Sequence, residues 1–244
     1  MLSNHLNAYL SKHKIHYGWV MAGLVFLMTI MSSAVSSTPQ LIILPITEEY
    51  GWQISDISNA IGLMFFTLAC LAPFSGALML NLGVTPVVLT AIGLNIVGLG
   101  LCIISFETWH FLIAIGVFLG SASGIIGLGL TATVASRWFV KRRGLVVGVL
   151  TAAFAAGQLL FVPLMAWITT IVDWRFALLI PILGSLISSI LILFFGKNWP
   201  AELKLAPFGD TKIYEPPKKA EQNAAIVSLK VLKNACGHPA FWIL

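Results

Sequence analysis

The sequence predicts an all-α polytopic membrane protein built as a six-helix bundle, and three observations predict it. Of 244 residues, 58% are hydrophobic and only 9% are charged, with a mean hydropathy of +0.94. Soluble domains carry about a quarter charged residues, so this chain lacks the polar side chains to coat a water-facing surface. The apolar residues fall into six runs, each as long as the ~20 residues a helix needs to cross a ~30 Å hydrocarbon core. The charges sit in the gaps between them: from Trp109 to Ser136 and from Gly144 to Val172 there is no Asp, Glu, Lys or Arg.

In chain order the runs are Tyr17–Ile46, Ile54–Leu82, Val84–Ser105, Trp109–Ser136, Gly144–Val172 and Trp174–Phe195. None alternates apolar with polar residues, the mark of a membrane β-strand. A helix is then the one spanning form that satisfies its own backbone in lipid. The first run follows Lys12 and Lys14 and contains Ala34-Val35-Ser36, loosely like a leader cleavage site, but it continues apolar through Ile46 and reads as a retained helix.

Sorting the charges by loop sets the orientation. One side holds Lys12, Lys14, the burst "RWFVKRRG" with Arg137, Lys141, Arg142 and Arg143, and seven lysines between Lys197 and Lys233. The other holds Glu48, Glu49, Asp56, Glu107 and Asp173, with Arg175 as its cation. Cations mark the cytoplasmic side, which predicts cytoplasmic termini and an even number of crossings. The four cations of the burst are read as topology markers on the rim, facing anionic lipid or another part of the protein, because they lie outside the midplane. A net charge of +5 distributed in this way does not point to nucleic acid.

The predicted organisation is a cytoplasmic N-terminus over 1–16, the bundle over 17–195, a cytoplasmic central linker over 196–238, and the start of a seventh spanning helix over 239–244. The linker holds Pro200, Pro207, Pro216 and Pro217 among mixed charges. Near its end, Ile226, Leu229 and Leu232 are spaced for a short helix on the membrane surface. The closing "HPAFWIL" reads as a membrane entrance cut short, with a plain apolar anchor as the alternative.

The polar residues inside the runs are Ser36, Ser37, Thr38 and Gln40 in the first, Asn59 in the second, Asn95 in the third, Ser121, Ser123, Thr131 and Thr133 in the fourth, and Gln158 in the fifth. Gln40 follows Pro39, whose missing N–H frees a carbonyl, and Ser37 lies beside them. Asn59 and Gln158 stand in the second and fifth runs. These four are candidates for a substrate path, weighed against helix–helix hydrogen bonds, which are common in membrane bundles. Asp56 and Asp173 sit at helix starts and read as caps, and His110 is at an interface. No carboxylate falls mid-span, so the runs offer no candidate for proton coupling through a buried acid. Gly116, Gly120 and Gly124 fall four apart and line one face for close helix packing. Gly127 and Gly129 mimic a dinucleotide fingerprint but lie inside an apolar span with no preceding strand. Cys70, Cys102 and Cys236 are isolated; Cys70 and Cys102 read as packing residues, and no metal site, cofactor or nucleophile–base pair is suggested.

The segment "GLGLTATVASRWFVKRRGLVVGVLTAAFAAGQLLFVP" resembles the helix four to helix five region of the major facilitator superfamily, in its oxalate/formate antiporter and monocarboxylate transporter branches. The matching positions are Arg137, Trp138, Phe139, Arg142, Arg143, Gly144 and Gly148. "HYGWV", "SSTPQ", "DWR" and "NWPAELKLAPFGD" extend the similarity across nearly the whole chain. The resemblance implies the N-terminal half of a twelve-helix fold, made of two three-helix inverted repeats, with substrate bound at the midplane between halves. It implies secondary active transport of a small organic anion, a mono- or dicarboxylate, by alternating access, and no enzymatic activity. At Gln40 it implies a cavity-facing position, where the oxalate/formate type places a glutamine and the animal monocarboxylate type a lysine.

One departure stands out. The family's loop between helices two and three reads roughly G-x-L-x-D-R-x-G-x-R, and here it is "GALMLNLGVT". Gly76, Leu78 and Gly83 match, whereas Leu80, Asn81 and Thr85 replace the three charges. The charge-assisted latch of that loop is therefore missing, or its work is done by other groups. A six-helix half cannot enclose a two-sided cavity, so its partners are membrane lipid, the small organic anion, and either a missing C-terminal half or a second copy. The readings that remain beside transport by a completed protein, with the half inactive alone, are a half-size transporter active as a dimer and a non-transporting scaffold or receptor.

Overall fold

The computed structural model describes residues 2–215 together with Asn234 and Gly237. The surface helix around Ile226, Leu229 and Leu232, the seventh-helix start over 239–244, and Cys236 lie outside the described residues. A short helix α1 (Leu2–Lys12) precedes six long ones: α2 (Gly18–Tyr50), α3 (Ile54–Asn81), α4 (Val84–Ile104), α5 (Thr108–Trp138), α6 (Arg143–Ile171) and α7 (Trp174–Phe195). All six long helices have the length and hydropathy to cross a membrane. The chain is an integral, multi-pass membrane protein.

Hydropathy located the ends of the spans to within about a turn. The largest difference is at α2, which runs four residues past Ile46 and carries both Pro39 and Pro45. It stops at Gly51, whose φ of 67° is left-handed and whose N–H bonds Thr47 O. At 33 residues it is about 50 Å long, more than a bilayer core requires. Segment 1–16, assigned no element from sequence, forms α1. Leu6 and Leu10 fall on one face and pack against the main core, while Leu2 and Tyr9 stay exposed.

The most extensive pairing, α3 with α5, joins helices that are not neighbours in sequence, and α2 packs on α6 as extensively as α4 packs on its sequence neighbour α5. The glycines of α5 explain the first pair. A Cβ added at Gly120 would lie 2.7 Å from the backbone oxygen of Met64, and one at Gly124 would lie 2.9 Å from that of Leu68. At Gly116 it would meet the Leu63 side chain at 2.6 Å. Small residues thus let two backbones approach where lipid supplies no hydrophobic drive. Helix α5 is also the irregular one. Leu112–Leu119 is wound as a π-helix, and Gly127 departs from helical geometry at φ −36°, ψ −138°. Cys102 is fully buried as a packing residue, but Cys70 lies on an exposed face of α3, which corrects its assignment to packing.

The two ends of the bundle are built differently. At the acidic end Asp173 caps α7 by accepting from Arg175 N at 2.7 Å, and Asp56 caps α3 by accepting from Gln53 N at 3.2 Å. Arg175 Nη2 also donates to Glu49 Oε1 at 2.5 Å and to Tyr50 OH at 2.8 Å, while Trp174 Nε1 donates to Glu49 Oε2 at 2.7 Å. The end of α2 is thereby riveted to the start of α7.

Candidate functional site

A cavity of about 440 Å³ opens on the face shared by α2, α3, α5 and α6. Its polar wall is made of hydroxyls: Thr29, Ser32 and Ser36 from α2, Ser75 from α3, Ser123 and Thr131 from α5, and Thr151 from α6. The rest is aliphatic, glycine or Phe154. No acidic or basic side chain lines it among the described residues. Helical periodicity creates the wall, since Thr29, Ser32 and Ser36 are three and four apart and share one face of α2.

These hydroxyls are not equivalent. Thr29 donates to Val25 O at 2.8 Å and Ser75 to Ala72 O at 2.8 Å, so each has spent its proton on its own helix and can only accept. The hydroxyls of Ser32, Ser36, Ser123, Thr131 and Thr151 make no such bond among the described residues. They remain available to donate to an oxygen-rich ligand. A mostly apolar cleft with a few convergent donors is the usual composition of a small-molecule site.

The four substrate-path candidates fall in different places. Gln40 is exposed and lies eleven residues, about three turns, beyond Thr29, so it continues the hydroxyl stripe towards the acidic end. Gln158, half-buried, lies seven residues beyond Thr151 and does the same on α6. Asn59 is exposed, nine residues or two and a half turns from the wall residue Leu68, and therefore on the opposite face of α3. Ser37 is 1% exposed and donates to Ser33 O at 2.9 Å, which ties it to its own helix. The sequence singles out Ser36, Ser123 and Thr131 as polar residues within the spans but does not join them with Thr29, Ser32, Ser75 and Thr151 into a wall; the spacing of Thr29, Ser32 and Ser36 is the signal for it.

At the basic end the four cations part company. Lys141, Arg142 and Arg143 are exposed, whereas Arg137 is 6% exposed in the last turn of α5. Its Nη2 donates to Met79 O at 3.1 Å and its Nη1 to Asn198 O at 3.3 Å. The guanidinium lies 4.2 Å from the centre of the Trp199 ring. Asn198 in turn caps α4, its Oδ1 accepting from Thr85 N at 3.1 Å. Gly83 makes this possible: its φ is 94°, and an added Cβ would lie 2.9 Å from Asn198 Oδ1.

The segment read as a linker is folded over this end as a strap, at least as far as Asp210. Phe208 pairs with the α5–α6 loop, donating to Trp138 O at 2.8 Å and accepting from Val140 N and Lys141 N at 3.0 and 3.1 Å. Its ring packs among Trp19, Phe139 and His16. His16 Nδ1 accepts from Gly18 N at 3.0 Å, which leaves Nε2 as the donor to Ala206 O at 2.9 Å. Arg137, Asn198 and Trp199 thus hold the junction of α3 and α4, where Leu80, Asn81 and Thr85 stand in place of the family's charges. At the end of the strap, Asp210 accepts from Thr211 N, Lys212 N and Tyr214 OH. These bonds, that of Lys212 foremost, hold its carboxyl below the usual carboxylate range.

The fold is thus a six-helix membrane bundle with a concave, hydroxyl-lined face. The Major Facilitator Superfamily model matches residues 21–244, and the chain belongs to that family. Among curated proteins it is similar to monocarboxylate transporter 13 of Rattus norvegicus, 35% identical over 113 residues that cover 45% of this chain and 25% of the relative. Monocarboxylate transporter 11 of Mus musculus is 26% identical over 164 residues, covering 67% of this chain and 36% of the relative. Monocarboxylate transporter 13 of Bos taurus is 34% identical over 113 residues, covering 45% of this chain and 25% of that protein. The matches therefore span about a quarter to a third of the relatives' length.

Proposed function

We propose that this chain forms the N-terminal wall of a secondary transporter for a small organic anion, a mono- or dicarboxylate. The observation that carries the reading is the cavity with donor hydroxyls on α2, α5 and α6 and no charged side chain among its described residues. Hydroxyl donors can orient a carboxylate, but a full negative charge also needs a cation close by. That cation is assigned to the opposing half, which closes the cavity and rocks against this one in alternating access. The names of the relatives support a monocarboxylate as substrate. The orientation follows the charge sorting, with the strap and both described basic segments on the cytoplasmic side. In that orientation Gln40 and Gln158 line the outer path, and the strap with Arg137 does the holding that the missing loop charges would do. The scaffold and active-dimer readings are outcomes of the test.

The test is uptake of radiolabelled lactate, pyruvate, formate and oxalate by cells. One set expresses the chain with its downstream coding sequence, and another expresses the 244-residue chain alone. The proposal expects saturable uptake of at least one acid by the first and none above vector by the second. Uptake by neither, across the panel, overturns transport of small carboxylates and favours a scaffold. Full uptake by the chain alone overturns the half-transporter reading and favours a dimer. In the active protein Gln40→Ala should raise KM about tenfold, the loss of one charge-assisted hydrogen bond of roughly 1.5 kcal/mol. Unchanged kinetics removes Gln40 from the path.

A further inference from the structure

Behind the cavity wall, among α2, α4, α5 and α7, lies a second and much smaller space of about 10 Å³. Four polar side chains face it: Ser32, Asn95, Ser185 and Ser188. All four are buried, Asn95 to 3% exposure. The Asn95 Oδ1 atom has no hydrogen-bond donor among the described residues. Ser188 has given its proton to Gly184 O at 2.8 Å, so it can only accept. Ser32 and Ser185 have made no bond among the described residues. Ser32 belongs to both spaces, with the cavity on one side and this pocket on the other.

An amide oxygen enclosed by methionine and isoleucine side chains is costly unless something donates to it. The space matches the smallest void that admits a water molecule, about one probe sphere, and it offers the two to four polar partners that a buried water requires. A cation is a poorer match, because the lining contains no carboxylate to offset its charge. We propose that this pocket is an internal hydration site. One water donates to Asn95 Oδ1 and to Ser188 Oγ and accepts from Ser32 and Ser185, bridging three helices that share no direct polar contact here. The water thereby takes the Ser32 proton, so Asn95 acts through it on a hydroxyl that also faces the cavity.

The site is tested by stability and spectroscopy, not uptake, so its failure is separate from a failure of the transport reading. The full 244-residue chain is placed in lipid nanodiscs, and melting is followed for wild type, Asn95→Leu, Ser32→Ala and the double variant. A shared water predicts that each single change lowers Tm by about 2–4 °C and that the double variant falls by less than the sum. A rise in Tm for Asn95→Leu means a dry pocket with an orphan acceptor, and strictly additive shifts mean no shared water; either overturns the proposal. If a variant fails to fold, the wild-type chain labelled with ¹⁵N-asparagine decides. The Asn95 side-chain amide, identified by its perturbation in Ser185→Ala, should show cross-relaxation with a long-lived water, and its absence overturns the site. Melting in sodium against choline should give equal Tm; a sodium-dependent rise would replace the water by a cation.

Discussion

The acidic and basic ends of the bundle solve the same problem with different chemistry. At the acidic end charge meets charge: Arg175 bridges Glu49 and Asp173, and its guanidinium lies 4.4 Å from the Trp174 ring centre. At the basic end the buried guanidinium of Arg137 is held directly by neutral carbonyls and an indole, with the Glu202 carboxylate acting on it from beyond 4 Å. The acidic rivet joins two helices of the bundle. The basic clamp joins the bundle to a strap that follows it in sequence. Charge pairing near water is individually weak, whereas a desolvated cation on carbonyls cannot be released without leaving those groups unpaired.

The sharpest way to break this contrast is at Arg137. Arg137→Met should strip two carbonyls of their donor and unseat Trp199, costing about 2–3 kcal/mol and lowering Tm by roughly 5–10 °C. Arg137→Lys should recover only part of this, because a single ammonium cannot reproduce the fork. Thermal melting of both variants checks the prediction, and a neutral Arg137→Met would show that the strap is held without the clamp.

The next effect is in the bundle body. Gly120→Val must displace the Met64 backbone and should cost about 1–3 kcal/mol. Gly23→Val, with open space where its Cβ would stand, should not lose stability through packing. Equal losses at both positions would remove the close-approach account of the α3–α5 pair.

At the acidic rivet Glu49→Gln should cost less than about 1 kcal/mol, since its side chain is 39% exposed and solvent screens the pair. The wild-type advantage should shrink as salt rises; a salt-independent loss would point to the neutral Trp174 bond instead.

The smallest effect is at Asp210, whose folded carboxyl lies below its unfolded range. Its contribution is complete above the unfolded value near ~3.9 and is lost as pH falls through the lower folded value. Wild type and Asp210→Asn should differ slightly at pH 6 and converge in acid, read by protease cleavage of the segment after the strap.

Much of this contrast lay beyond sequence reading, for physical reasons. Span positions were legible because lipid imposes one length and one polarity, and the α7 bounds coincide with the apolar run Trp174–Phe195. The caps at Asp56 and Asp173 were legible because capping is local. Arg137 was not separable from Arg142 and Arg143, because burial depends on where α5 ends and on what docks there. The strap read as a linker because its prolines and charges are also what linkers contain; Trp199 and Phe208, large aromatics in a polar stretch, were the signal that it packs. Of the four candidates, helical counting alone places Gln40 and Gln158 with the hydroxyls, but Asn59 could be set apart only once the wall on α3 was known.

The measurement closest to the central claim is substrate protection at the hydroxyl wall. A version of the transport-competent protein lacking Cys70, Cys102 and Cys236 would carry Thr151→Cys, and labelling by a small thiosulfonate would be timed with and without lactate. Lactate should slow labelling of the wall cysteine several-fold and leave a control Asn59→Cys unchanged. Equal rates at the wall with and without lactate, in protein that transports lactate, would show that the substrate passes elsewhere.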